Sequence, residues 1–144
     1  RFCCVFSRDD IWEAPVVFPE LRDYINEKIA PKQEFIPFRG SYLIKMDFKD
    51  GEYITACPML GESGCVLGDK KPFDCRIWPF RPMERDGRTV ITISPLCPSL
   101  SSKPAGELKA FLDEGLGTLI FKTAAEHPEI IKPYIEGYEV VLEK

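Results

Sequence analysis

The spacing of apolar residues predicts an amphipathic helix over 19–30. One face of this helix carries residues at i, i+3, i+4, i+7 and i+8, namely Leu21, Tyr24, Ile25, Lys28 and Ile29. Pro31 cannot continue a helix, because its ring removes the backbone donor and clashes with the preceding turn. We therefore expect the helix to end before Pro31.

A second apolar face predicts a longer helix near the C-terminus, formed by Leu108, Phe111, Leu112, Leu116, Leu119 and Ile120. Ser101-Ser102-Lys103-Pro104 resembles a capped helix start with proline in the first turn, and the helix should end before His127-Pro128. Gly115 and Gly117 lie inside it. Since an interior glycine costs about 1 kcal/mol relative to alanine, the pair indicates close packing or a local break.

Shorter elements are expected at both ends of the chain. Ser7-Arg8-Asp9-Asp10 is a Ser-x-x-Asp capping pattern, typical of a short helix that Pro15 would end. Near the C-terminus, 128–134 is predicted as a short helix and 138–142 as a strand or extended tail.

Alternating apolar residues predict two β-hairpins. In the first, the alternation from Tyr42 to Phe48 is followed by a turn over 49–52 and a strand over 53–56. The second spans 80–94, with its turn at Asp86-Gly87. Together with the helices, these hairpins predict an α+β fold of small β-hairpins packed against two to four helices.

The stretch from Cys57 to Pro82 shows neither the apolar spacing of a helix nor the alternation of a strand. It contains three cysteines separated by turn-forming residues, Cys57, Cys65 and Cys75. The first hairpin would present Cys57 from the end of a strand, which is a rigid position for a ligand. Thiolate is the ligand that softer metals and iron–sulfur clusters select, so the hairpins are predicted to carry a cysteine-rich metal knuckle.

This stretch also carries a resemblance to a known family. Its pattern of Cys-Pro-x-Leu, Gly-Cys, Lys-Pro and Cys-Arg-x-x-Pro-Phe resembles the CxxCxxCC family, described as a zinc- or iron-chelating domain. The matching residues are Cys57, Pro58, Leu60, Gly64, Cys65, Lys71, Pro72, Cys75, Arg76, Pro79 and Phe80. The resemblance implies a bound metal, either iron or zinc.

The namesake motif of that family lies near the N-terminus, and Cys3-Cys4 resembles its second half. The first Cys-x-x-Cys half is absent. The chain opens at Arg1 rather than Met, which is consistent with an N-terminal truncation and with two further cysteines upstream.

The predicted metal ligands are first Cys57, Cys65 and Cys75. For the fourth ligand we favour Cys4, because a helix N-terminus beside it would lower the pKa of its thiol. Cys97, which follows the second hairpin, and Cys3 are the next candidates. Cys3 and Cys4 should play unequal parts, since successive side chains tend to diverge.

Four cations flank the predicted metal ligands, Arg76, Arg81, Lys70 and Lys71, and the two arginines are the residues predicted around the metal. A metal held by several thiolates carries net negative charge, which a guanidinium can neutralise while donating to sulfur. Arg76 is the better candidate. The sole histidine, His127, lies at a predicted helix C-terminus, where an imidazole interacts favourably with terminal carbonyls, and that role is preferred to metal binding. Trp78 and Phe80 are expected in the core or as an apolar wall.

Composition narrows the class of protein. With 144 residues and 44% hydrophobic content, residues 1–144 are predicted to form one domain with its own core. The net charge of -4, without a basic stripe, disfavours a nucleic-acid partner. No apolar run approaches the roughly 20 residues of a membrane span, so no membrane partner is expected.

The six cysteines allow three disulfides as an alternative to metal binding. Their density lies below the roughly 8–10% typical of disulfide-stapled chains, and they cluster among turn residues. We therefore prefer metal-bound thiols, and with them a reducing cytoplasm.

The leading functional hypothesis is a protein that binds an iron–sulfur cluster or iron through its cysteine cluster, with no reaction indicated. The alternative is a structural zinc domain that mediates interaction with a protein partner. Catalysis at the cluster is a third hypothesis, because proteins with a similar cysteine cluster have been linked to lysine methylation of flagellin. Those proteins are larger, and nothing outside the cluster resembles a methyl-donor site. Whether the chain is an enzyme is left open.

Overall fold

The computed structural model describes residues 5–9, 14–95 and 102–144. The chain divides into two compact units, Arg1–Arg76 and Ile77–Lys144. Both contain small sheets and short helices. The predicted mixed α+β class is therefore confirmed, whereas the metal knuckle and the single domain over 1–144 stay predictions.

The described residues of the first unit form three small sheets. Its strands are β1 (Val5–Ser7), β2 (Val16–Val17), β3 (Phe35–Phe38), β4 (Ser41–Ile44), β5 (Ile54–Ala56), β6 (Leu60–Gly61) and β7 (Gly64–Cys65). They pair in the orders β1-β5, β2-β4-β3 and β6-β7, all antiparallel.

Two helices belong to this part of the chain. Helix α1 (Pro19–Tyr24) continues as a wider π-type turn over Ile25–Ile29, which confirms the predicted helix. Ile25 is fully buried in the core of the unit. The side-chain amide of Asn26 donates to the carbonyls of Ala30 and Gln33, both at 3.1 Å, so the helix end is satisfied locally. Helix α2 (Phe73–Ile77) follows a 3₁₀ turn at Gly68–Lys70.

The predicted hairpin over 42–56 is wrong. Strand β4 pairs with β3 and β2, while β5 pairs with β1. The hairpin that does form joins β3 to β4 through a tight turn at Arg39-Gly40. Both turn residues have positive φ, as a two-residue hairpin turn requires. Strand β3 was not predicted, because it contains Pro37. Proline is tolerated there because β3 is the edge strand of its sheet.

The helix predicted to begin after Ser7 lies only partly within the described residues, where Arg8 and Asp9 form 3₁₀ helix, so the cap at Ser7 stays a prediction. Ser7 ends strand β1 and pairs with Ile54. Arg8 then holds the segment before β5, because its side chain donates to the carbonyls of Glu52 at 2.7 Å and Lys49 at 3.1 Å. Residues 10–13 of the predicted helix lie outside the described residues.

The second unit contains a four-stranded sheet of order β10-β8-β9-β11, in which only β10 and β8 are parallel. Its strands are β8 (Phe80–Arg85), β9 (Arg88–Ile93), β10 (Lys132–Pro133) and β11 (Glu139–Glu143). The predicted hairpin with a turn at Asp86-Gly87 and the predicted C-terminal strand are confirmed. The short helix predicted over 128–134 is instead a 3₁₀ turn at Pro128–Ile130 followed by β10.

The long C-terminal helix forms in two parts, α3 (Ala105–Phe111) and α4 (Gly117–Glu126), joined by a π-type turn. Both readings of its glycines are confirmed. Gly115 has a φ of 139°, which breaks the helix. A Cβ on Gly117 would lie 2.9 Å from Leu142 Cδ2 and 3.0 Å from the backbone carbonyl oxygen of Leu112, so the packing around this glycine is close.

The helix termini agree in part with prediction. His127 is the C-terminal capping residue, as expected. Pro104 is itself the N-cap, without a side-chain capping bond, so the predicted serine cap is wrong. Among the residues placed by the structure, no helix is long and apolar enough to cross a membrane.

Candidate functional site

Three cysteines of the central run line one cavity of about 160 Å³ in the first unit: Cys57, Cys65 and Cys75. Each is partly exposed, and none of the three is joined to another by a disulfide. Cysteines from three different positions along the chain therefore line the same cavity.

Short-range hydrogen bonds place two of these cysteines. Cys57 follows β5 directly, and its carbonyl accepts the amide N–H of Leu60 at 2.9 Å, which closes a tight turn. Cys65 lies in β7 opposite Leu60. Gly64, just before it, has a φ of 116°, a conformation that L-residues rarely adopt. This glycine lets the chain return within a four-residue turn.

The third cysteine lies on α2, where the amide N–H of Cys75 donates to the carbonyl of Pro72 at 3.0 Å. Its neighbour Asp74 is 2% exposed, and Oδ2 of Asp74 accepts the amide N–H of Val16 at 2.9 Å. This bond fastens the start of α2 to strand β2. Asp74 was not predicted as a site residue, although its position as the single acid in the mainly apolar stretch 72–80 was a signal for it.

The wall of the cavity is mainly apolar. Ile44, Met59 and Leu67 are buried and belong to the core cluster of the first unit. Cys57 and Cys65 pack against that cluster, and Cys57 also packs against the smaller cluster of Phe6, Ala14 and Met46. Cys57 and Cys65 are therefore held against the core, as a preorganised site requires.

The cavity has one cationic neighbour, Lys71, among the described residues that line it. Arg76, the predicted partner of the metal, is exposed and lines an adjacent surface pocket that also includes Lys71. Its guanidinium lies 5.7 Å from the Phe73 ring centroid. Arg81 is buried in β8 of the second unit. The roles assigned to Arg76 and Arg81 stay predictions, and Lys71, another of the cations expected to flank the site, lines the cavity.

The remaining predicted ligands, Cys3, Cys4 and Cys97, lie outside the described residues. Within the described ranges, no group of three or more His, Cys, Asp or Glu side chains is arranged to hold a metal ion. The three thiols share a cavity, but by themselves they do not form a metal site.

The other residues considered in the sequence, His127, Phe80 and Trp78, lie in the second unit. Nδ1 of His127 lies 3.6 Å from the Glu129 carboxylate, beside the helix end at which it was expected. Phe80 is buried and stacks on Phe111, with ring centroids 6.0 Å apart. Trp78 is partly exposed.

The chain was compared with protein-family models, with curated proteins and with solved structures, and none of them matches it. The resemblance to the CxxCxxCC family therefore remains a prediction that rests on the residues of the central run.

Proposed function

We propose that this protein binds an iron–sulfur cluster or iron through its cysteines. The ligands would be Cys57, Cys65 and Cys75 together with a fourth thiol, for which Cys4 is favoured over Cys97 and Cys3. The observation that carries the proposal is the shared cavity, because three segments of the first unit each contribute one cysteine to it.

The chemistry of the donor set supports a soft metal or a cluster, since iron–sulfur clusters are held by cysteine thiolates. The size of the cavity favours a cluster over a single ion. An engineered cavity of about 150 Å³ holds benzene, and the cavity that these cysteines help to line is about 160 Å³. A bare ion needs far less room.

The surroundings of the thiols support the same proposal. A centre held by several thiolates carries net negative charge, and Lys71 supplies a positive charge at the cavity wall. The apolar wall limits access of water to the centre. Such reduced thiols are typical of a reducing compartment, so we propose a cytoplasmic location.

A structural zinc site that supports interaction with a protein partner is the second candidate. It is favoured by the shortness of the elements that carry the thiols, because β7 has two residues and α2 has five. A metal linking these segments would stabilise a region with little regular structure. A closed four-cysteine zinc site has no open coordination position, so this role needs no reaction.

Anaerobic purification of the full chain, with iron, zinc and sulfide counted per chain, separates the two candidates. We expect iron and sulfide, with broad visible absorption that dithionite bleaches. Stoichiometric zinc in a colourless protein would refute the iron–sulfur or iron site and support the structural zinc site. A protein that takes up neither metal under reducing reconstitution would refute both.

Serine substitutions assign the ligands. We expect Cys57→Ser, Cys65→Ser and Cys75→Ser each to abolish metal binding and to destabilise the fold, because the binding energy of a structural metal is also folding energy. Ser63→Ala, at the exposed turn between β6 and β7, is the matched control.

Full metal occupancy in Cys65→Ser would overturn this ligand assignment. The fourth ligand is decided by comparing Cys4→Ser with Cys97→Ser. Loss of metal in Cys4→Ser alone is expected, and equal losses in both would instead show a second or shared site.

A further inference from the structure

An open surface pocket of about 310 Å³ lies on the first unit and shares Lys71 with the lining of the cysteine cavity. Three cationic side chains line it: Lys70, Lys71 and Arg76. The whole chain carries a net charge of -4. Three cations in one pocket are therefore a local concentration of positive charge on a chain that is negative overall.

Among the described residues, these cations have no ion-pair partner. Within the described part of the chain, none of the three lies within 4.0 Å of a carboxylate oxygen. Several other surface cations do have such partners, in the pairs Arg22–Asp23, Lys45–Glu34, Arg85–Glu143, Lys103–Glu107 and Lys109–Asp113. The positive charge of the pocket therefore remains available to a ligand.

Aromatic rings hold two of the cations in place. The ammonium of Lys70 lies 4.9 Å from the Tyr24 ring centroid, and the guanidinium of Arg76 lies 5.7 Å from that of Phe73. A cation–π contact orients a cation without adding the opposing charge of a carboxylate. Lys71 is partly buried and lines both the pocket and the cysteine cavity.

Two carboxylates, Glu20 and Asp69, also line the pocket, so its formal charge is three positive against two negative. Since neither is paired with the three cations, both can accept hydrogen bonds from hydroxyl or amine groups of a ligand. The pocket thus offers cations for an anionic group and acceptors for a polar remainder.

We infer that this pocket binds the oxyanion group, phosphate or carboxylate, of a small polar molecule. Arg76 offers a planar fork that fits two oxygens at once, whereas Lys70 and Lys71 act as point charges. The volume lies at the lower end of the roughly 300–1,000 Å³ typical of ligand pockets, which fits a small molecule. This inference uses no bound metal and is independent of the proposed function.

Titration of the full chain with inorganic phosphate and, separately, with citrate tests the inference, with binding followed by calorimetry and by backbone amide chemical shifts. Chloride at matched ionic strength controls for general screening of surface charge. We expect saturable binding of at least one oxyanion, with shifts centred on 69–76 and on Tyr24.

The variants Arg76→Ala and Lys70→Ala should each weaken binding about tenfold, and Arg76→Lys should weaken it as well because it keeps the charge but loses the fork. Lys71 is left intact, since it also lines the cysteine cavity. The matched control is Lys122→Ala, which removes an exposed cation on α4 in the second unit and should not change the affinity.

Binding of phosphate but not citrate would identify a phosphorylated ligand, and the reverse a carboxylate ligand. Unchanged affinity in both Arg76→Ala and Lys70→Ala would overturn the inference. Equal effects of chloride and both oxyanions would also overturn it, because they would show screening alone. The three pocket cations are at least partly exposed, so these substitutions leave the core intact.

Discussion

Removal of the Asp74 carboxylate should destabilise the first unit measurably. Asp74 is 2% exposed and Val16, whose amide N–H it accepts at 2.9 Å, is 1% exposed. In Asp74→Ala this buried N–H loses its acceptor, and an unsatisfied buried donor costs about 1–3 kcal/mol. We expect a loss in the upper half of that range, because hydrogen bonds to a charged acceptor are stronger than neutral ones.

Urea denaturation measures the loss, and amide hydrogen exchange at Val16 reports on the bond itself. Asp74→Asn keeps an acceptor oxygen and should cost less, whereas Asp50→Ala, in an exposed turn, should have little effect. Since Asp74 precedes Cys75, Asp74→Ala should also loosen α2 and speed alkylation of the Cys75 thiol. A free energy of unfolding within about 0.5 kcal/mol of wild type, with Val16 still protected from exchange, would refute this role for Asp74.

Two further predictions concern the backbone and a surface charge. Gly115→Ala should lower the free energy of unfolding by about 1–3 kcal/mol in thermal or urea unfolding, because alanine rarely adopts a φ of 139°. Gly106→Ala, with open space around it, is the control. Equal effects of the two substitutions would contradict the argument. The pKa of Lys45 is raised chiefly by its hydrogen bond to Glu34, so the pair stabilises the fold below the unfolded pKa of lysine and this contribution disappears as pH rises through the raised pKa. In Glu34→Gln an NMR titration should find the pKa of Lys45 lowered, and an unchanged value would show that Glu34 is not the cause.

Local physics explains what could be predicted from the sequence alone. The helix beginning at Pro19, the hairpin turning at Asp86-Gly87 and the break at Gly115 all follow from periodicity or turn chemistry within a few residues. The concentration of cysteines between Cys57 and Cys75 was equally visible, because it is a matter of spacing along the chain.

What only the tertiary structure decided depends on contacts between distant segments. The pairing of β5 with β1 instead of β4 joins residues about 50 positions apart, and no local pattern encodes such a choice. The bond from Val16 to Asp74 spans a separation of 58 residues. Likewise, Lys71 lines the cysteine cavity whereas Arg76 lines the adjacent surface pocket, and the spacing of these residues along the chain does not determine which of them reaches the cavity.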